Sequence, residues 1–217
     1  MRITEIKVQN YKGLRNTSSP LSDFVCVVGE NNAGKSSLLQ CLLLFIKGTK
    51  LSKNEFYDTS KDILITVHIT GITESLLERL GEEHRPKIAK YVADNQIQLA
   101  RRYSSDGTSK LRIVTKVPKE LKFRKENIDS ALSGKNGQEL KNTITTFYPE
   151  VADKIAEINT QKRAKELISE FIETIPDNQL EETDIPLETG IDNSVRHCCP
   201  IVSKAAPVVA KPLLSVV

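Results

Sequence analysis

The chain has 217 residues, of which 39% are hydrophobic and 27% charged, so a packed core is expected rather than global disorder. Its 31 basic and 28 acidic residues give a net charge of +3, which neither requires nor excludes a nucleic-acid partner. We expect no signal peptide and no membrane span, and the four cysteines show neither disulfide nor zinc spacing. These features predict a cytoplasmic protein without a membrane partner.

The first predicted elements are two strands and one helix. Residues 3–9 form a plausible strand, and turn residues follow it up to Pro20. Residues 24–28 are a short β-branched apolar run, typical of a strand buried on both faces. A helix is predicted from Lys35 to Lys47, ending at Gly48. This helix is apolar almost all round, so we expect it to be buried against a sheet.

Antiparallel strands are predicted next in the chain. Residues 62–70 alternate between apolar and more polar positions, which indicates a half-buried strand. Residues 74–92 have a helical pattern. Strands are then predicted over 96–103 and 110–117, and the Asp106-Gly107 pair between them is a strong hairpin signal.

The pattern changes after Pro118. Residues 119–175 are highly charged, with apolar positions at helical spacing. From residue 176 onward Pro, Asp, Asn, Glu and Thr dominate, and we interpret the acidic stretch there as a solvated linker. The predicted organisation is a first lobe over 1–118, a helical insertion over 119–175, and an irregular linker or tail over 176–217.

Residues 29–36 match the phosphate-binding pattern GxxxxGK[ST] at every fixed position and lie between the predicted strand and helix. In such a loop, glycines let backbone N–H groups wrap around phosphates, and the positive end of the following helix strengthens the field. We therefore expect nucleotide binding. The candidate residues are Gly29, Glu30, Asn31, Asn32, Ala33, Gly34, Lys35, Ser36 and Ser37.

Two side chains of this loop have predicted roles. Lys35 would reach the β- and γ-phosphates, and the Ser36 hydroxyl would bind Mg²⁺. The phosphate loop does not by itself distinguish ATP from GTP. A structural glycine turn without a ligand is the alternative interpretation of the same residues.

Residues 10–16, Asn-Tyr-Lys-Gly-Leu-Arg-Asn, precede a loop that continues as Ala-Gly-Lys-Ser-Ser-Leu-Leu. This combination resembles the ABC-type ATPase heads of the RecF, SMC and OLD families. The Asn-Asn-Ala-Gly-Lys-Ser-Ser form is most similar to OLD-type and AAA_15-like ATP-dependent endonucleases, and the resemblance is strongest over residues 1–70. It implies an α/β P-loop NTPase of the ABC-ATPase head type, with a mixed sheet around the Walker A helix and a helical insertion, apparently truncated.

The same resemblance implies function and partners. It implies ATP and Mg²⁺ as ligands, a homodimer or partner head, DNA as a further partner, and a role in DNA repair or phage defence. It also implies that a basic residue after the first strand lies near the nucleotide, and Lys12 and Arg15 are the candidates. A solvated basic turn is the alternative for either residue.

Several features of a complete head are not found in the sequence. No apolar strand ends in the Asp that a Walker B motif requires. Residues 132–139 resemble an ABC signature, but we interpret them as a loop between two insertion helices. No Toprim-like carboxylate cluster is found, so catalytic residues are not assigned. A non-catalytic docking module for a complete head or DNA is therefore an alternative function, and a small P-loop kinase is disfavoured because antiparallel strands follow the helix.

Overall fold

The computed structural model describes residues 1–23, 25–30, 34–187, 194–195 and 198–199. The strands in these residues are β1 (Arg2–Tyr11), β2 (Leu14–Pro20), β3 (Ile63–Thr70), β4 (Gln96–Tyr103), β5 (Ser109–Pro118) and β6 (Leu180–Pro186). The α-helices are α1 (Lys35–Lys47), α2 (Glu74–Arg79), α3 (Gly81–Ala89), α4 (Lys125–Leu132), α5 (Gly137–Phe147) and α6 (Gln161–Glu173). Short 3-10 helices span Lys53–Glu55, Leu121–Phe123, Pro149–Glu157 and Asp177–Gln179.

The strands form one sheet in the order β2-β1-β3-β4-β5-β6, and the first four pairs are antiparallel. The expected α/β class is confirmed, as are the strands predicted over 62–70, 96–103 and 110–117. The alternation in β3 buries one face of the strand, as predicted. The apolar residues of that face are fully buried in the core: Ile63, Ile65, Val67 and Ile69. The turn-rich segment after β1 was not predicted as a strand, yet β2 pairs with β1 along the hairpin.

The strand predicted over 24–28 is wrong for its described residues. Residues 25–30 have no regular secondary structure, and Val28 is 85% exposed. A β-branched run becomes a strand only where a neighbouring backbone can pair with it. None of the described strands pairs with this segment, so its strand propensity is not satisfied.

Helix α1 begins and ends where the sequence predicts, and Gly48 caps it in a left-handed conformation at φ 63°. The prediction that this helix is buried holds for one face only. One face packs on β1 and β3 and buries Cys41 and Phe45, whereas Leu39 on the other face is 56% exposed. Burial raises the pKa of the Cys41 thiol to about 12, so this group stays protonated at neutral pH.

Side chains of the β4–β5 hairpin hold the C-terminal end of α1. Arg101 Nε donates to Phe45 O at 2.6 Å, and Tyr103 Oη donates to Leu44 O at 2.9 Å. Both carbonyls belong to the last turn of the helix, where backbone acceptors lack helical partners. A cation at this end also complements the helix dipole. The sheet thus fixes the helix whose N-terminus follows the predicted phosphate loop.

The solvated linker predicted after residue 176 is wrong for residues 180–186, which form β6 at the edge of the sheet. Asp184 in this strand is buried, with its side chain only 3% exposed, and both Arg102 and Arg112 contact its carboxylate. A buried carboxylate needs such partners to offset its lost hydration. Most of the remaining predicted tail, 188–193, 196–197 and 200–217, lies outside the described residues.

Residues 115–183 form a compact unit separate from the unit of residues 1–114 and the described residues from 184 onward. The second unit has its own apolar cluster, in which the Phe123 and Phe171 ring centroids lie 5.3 Å apart. The predicted helical stripe is confirmed, because all its members pack in this cluster: Val151, Ile155, Ile158, Leu167, Ile168, Phe171 and Ile175. Helix α4 ends at Leu132 and α5 begins at Gly137, so the signature-like residues do connect two helices.

Candidate nucleotide-binding site

The end of the predicted phosphate loop has a backbone that favours glycine. Gly34 precedes α1 with φ 85° and ψ 5°, in the left-handed region. A Cβ atom placed on Gly34 would lie 2.9 Å from Leu14 Cδ2, so the loop passes closely over the β1–β2 hairpin. Gly34 O accepts the first helical hydrogen bond, from Leu38 N at 2.9 Å. Both the conformation and the close packing therefore explain a glycine here.

The Lys35 side chain folds back into the loop. Its Nζ donates to Gly29 O at 2.5 Å and to Glu30 O at 2.6 Å. The Lys35 ammonium therefore joins residues 29 and 30 to the start of α1. This arrangement fits a phosphate chain, because the same ammonium can exchange two neutral carbonyls for anionic oxygens.

The N-terminus of α1 favours an anion. The helix has 13 residues and no acidic residue in its first turn, so no carboxylate there opposes the positive end of its dipole. Ser36 is exposed and Ser37 is half-buried at this end. The structure brings Gly29, Glu30 and Lys35 together, whereas Asn31, Asn32 and Ala33 lie outside the described residues.

Lys12 lies beside the helix that follows the loop. Its Nζ donates to Gln40 Oε1 of α1 at 2.8 Å and lies 3.8 Å from Glu55 Oε1. Tyr11 Oη donates to the same Gln40 oxygen at 3.1 Å, and burial raises the pKa of this phenol. The turn between β1 and β2 thus places Lys12 against Gln40, in the second turn of α1. Sequence reasoning missed Gln40 and Glu55, because their contacts with Lys12 join residues 28 and 43 positions apart.

Arg15, the second basic candidate, makes a different contact. Its guanidinium carbon lies 4.4 Å from the ring centroid of Tyr57, in cation–π geometry. Tyr57 was not singled out from the sequence, where it reads as one aromatic residue in a turn-rich stretch. The two basic candidates are therefore held by separate groups, Lys12 by α1 and Arg15 by Tyr57.

Metal centres and membrane spans are two further kinds of site that the described residues could contain. No group of three or more His, Cys, Asp or Glu residues that could hold a metal ion is found in them. No helix among them is long and apolar enough to cross a bilayer.

Comparison with known proteins identifies proteins that are similar to this chain. The chain is 25% identical over 225 residues to the Old nuclease of Escherichia phage P2, covering 94% of this chain and 38% of the nuclease. It therefore spans well under half of that relative's length. The predicted resemblance to OLD-type proteins is confirmed by this match.

Solved structures of SMC heads are similar at low identity. One, from work on ATP-driven dimerization and DNA-stimulated activation of SMC ATPases, is 14% identical, with a TM-score of 0.38, over 79% of this chain and 99% of that chain. An SMC head bound to the C-winged helix domain of ScpA is 20% identical, with a TM-score of 0.36, over 51% of this chain and 35% of that chain. Residues 1–197 match the model of the AAA ATPase domain family. The chain therefore belongs to the AAA ATPase domain family.

Proposed function

We propose that this chain binds ATP and Mg²⁺ through residues 29–37. The observation that carries the proposal is the Lys35 ammonium, held by Gly29 O and Glu30 O inside a loop that leads into the N-terminus of α1. Membership of the AAA ATPase domain family supports a nucleotide ligand. A triphosphate would take the Lys35 ammonium from the two carbonyls, because an ionised acceptor makes the stronger hydrogen bond.

Each part of the loop has a role in this proposal. The backbone N–H groups from Gly29 to Lys35 would surround the phosphates, and Lys35 would contact the β- and γ-oxygens. Ser36 would hold Mg²⁺ through its hydroxyl. The metal would neutralise phosphate charge and fix the orientation of the β- and γ-phosphates. Lys12 would add positive charge beside the loop, from its position on Gln40.

The longer protein is a separate proposal, because this chain spans 38% of the Old nuclease. We propose that the chain represents the N-terminal part of an OLD-like ATP-dependent DNA endonuclease, or of a RecF/SMC-like DNA-repair ATPase. Its partners would be a second head, as a homodimer or a related protein, and DNA. We also propose a lobe over 1–118, an insertion over 119–175, a tail over 176–217, and a cytoplasmic location.

A docking module is the second candidate function. The observation that favours it is apolar surface next to the loop, where Val28 and the α1 residues Leu39 and Leu43 are exposed. Exposed apolar groups of this kind are typical of surfaces that a partner covers. Sedimentation with and without a complete related head tests this function. Co-migration that does not depend on nucleotide supports docking, and a lasting monomer in both cases contradicts it.

The Ser36 hydroxyl gives the proposal a specific test. We expect Ser36→Ala to weaken ATP binding in Mg²⁺ about tenfold, the effect of losing roughly 1.4 kcal/mol of ligand energy. The ATP affinity of the wild type should fall by a similar factor when EDTA removes Mg²⁺. The ATP affinity of Ser36→Ala should fall little further under the same treatment. ATP titrations in both buffers measure this difference.

The conservative variant Ser36→Thr keeps a hydroxyl at the same atom and should keep the response to Mg²⁺. If Ser36→Ala retained the full response to Mg²⁺, the assignment of Ser36 to the metal would be wrong.

A further inference from the structure

The compact unit of residues 115–183 contains a surface cavity of about 380 Å³, a size typical of small-molecule sites. Three apolar side chains form one part of its lining: Phe123, Phe171 and Ile175. Phe123 is only 4% exposed, and its ring centroid lies 5.3 Å from that of Phe171. The cavity therefore offers a ligand an apolar surface that is largely aromatic.

Hydrogen bonds hold the segments that border this apolar surface. The backbone N–H of Lys119 donates to Gln179 O at 2.9 Å, and both residues line the cavity. The hydroxyl of Tyr148 donates to Lys122 O at 3.1 Å, which fixes the short helical turn beside the cavity. The lining is therefore in place before a ligand binds, and a preformed site loses less entropy on binding.

Three charged side chains also line the cavity: Lys119, Glu120 and Glu150. Lys119 Nζ donates to a neutral acceptor, Asn178 O, at 2.7 Å, and it forms no ion pair within the described residues. Lys122 Nζ contacts the Glu150 carboxylate and lies 3.5 Å from Glu120 Oε2. Because one ammonium is shared by two carboxylates, the lining keeps one positive and one negative charge without a counter-ion of its own.

The two charges and the apolar surface together match one class of small molecule. An apolar anion would leave the surplus carboxylate without a partner, and an apolar cation would leave Lys119 on its neutral carbonyl. A free α-amino acid carries an ammonium and a carboxylate on one carbon atom, so it can pair with both charges at once. An apolar side chain adds the group that the aromatic surface can cover.

We propose that this cavity binds a free α-amino acid with an apolar side chain. The Lys119 ammonium would exchange Asn178 O for the ligand carboxylate, because an ionised acceptor makes the stronger hydrogen bond. Glu120 lies farther from Lys122 than Glu150 does and its side chain is 64% exposed, so it would accept from the ligand ammonium. The ligand side chain would pack on the aromatic surface. This inference does not depend on the proposed nucleotide site.

The test titrates the full chain by calorimetry with L-phenylalanine, with phenylpropionate, which lacks the ammonium, and with phenylethylamine, which lacks the carboxylate. We expect saturable binding of L-phenylalanine and at least about tenfold weaker binding of the other two, from the loss of one charge-assisted hydrogen bond. Lys119→Met keeps the apolar stem, and it should weaken L-phenylalanine about tenfold while leaving phenylethylamine within about twofold. Glu120→Gln should weaken L-phenylalanine and leave phenylpropionate unchanged.

The matched control is Lys162→Met, which removes a lysine of the same unit whose side chain is 89% exposed. This variant should bind L-phenylalanine like the wild type. A folded wild type that does not bind L-phenylalanine at millimolar concentrations would overturn the inference. Binding of phenylpropionate or phenylethylamine as tight as that of L-phenylalanine would also overturn it, as would full affinity for L-phenylalanine in Lys119→Met.

Discussion

An Asp184→Asn variant is expected to unfold with a free energy about 3 kcal/mol lower than that of the wild type, since breaking a buried ion pair on one side costs about 3–5 kcal/mol. The Asp184 carboxylate accepts Arg102 Nε at 2.9 Å and also contacts Arg102 Nη2 and Arg112 Nε. Asparagine has nearly the same shape but no charge, so two arginines lose their shared counter-ion. We place the effect at the low end because both arginines are only half-buried. Urea unfolding measures the change.

The matched control is Glu182→Gln, which neutralises an exposed acidic residue in the same strand, β6. This variant should stay within about 0.5 kcal/mol of the wild type, as exposed charges usually do. An Asp184→Asn variant as stable as Glu182→Gln would show that the two arginines do not depend on Asp184.

Gly34→Ala is expected to weaken Mg²⁺-ATP binding by at least about tenfold and to lower the free energy of unfolding by about 1–2 kcal/mol. The loss of stability follows from φ 85°, which an L-side chain rarely adopts, and from the 2.9 Å approach of its Cβ to Leu14 Cδ2. Relief of this strain would shift the loop end, and with it the N–H groups at the start of α1. Titration and urea unfolding of the same variant measure both effects.

Gly81→Ala is the control that separates the effect of backbone strain on stability from the effect of Gly34 on ATP binding. Gly81 also has a left-handed backbone, φ 67°, but a Cβ there would meet nothing within 4 Å. It lies where α3 begins, and we expect a similar loss of stability with unchanged ATP affinity. Equal loss of affinity in both variants would mean that the Gly34 effect is a general effect of destabilisation.

The parts of the fold that could be predicted are those that local patterns determine. Helix α1 begins after Gly34 and ends at Gly48, because glycines set both ends and the residues between are good helix formers. The strand over 63–70 follows from strict alternation, and the β4–β5 hairpin from Asp106-Gly107. The phosphate loop was predicted in the same way, from neighbouring residues, and stays a prediction.

The parts that could not be predicted depend on contacts distant in sequence. Acidic residues around Asp184 indicate a linker until Arg102 and Arg112, more than 70 positions earlier, are seen beside it. Residues 25–28 have strand propensity, but the described sheet offers them no paired neighbour. Tyr57 contacts Arg15 and Asn10 only because the β1–β2 hairpin brings these distant residues beside it. Local propensity therefore predicted many of the helices and strands. The pairing of strands and the partners of charged residues could be seen only in the structure.

The central claim is that residues 29–37 form a working phosphate loop around Lys35, and a calorimetric titration of the chain with Mg²⁺-ATP tests it most directly. The account predicts saturable binding by the wild type and a loss of at least about 100-fold in Lys35→Ala, which lacks the ammonium that would contact the phosphates. Lys47→Ala, at the other end of α1, removes an exposed lysine from the same helix and should bind like the wild type. Equal binding by wild type and Lys35→Ala, or no binding by a folded wild type, would contradict the account.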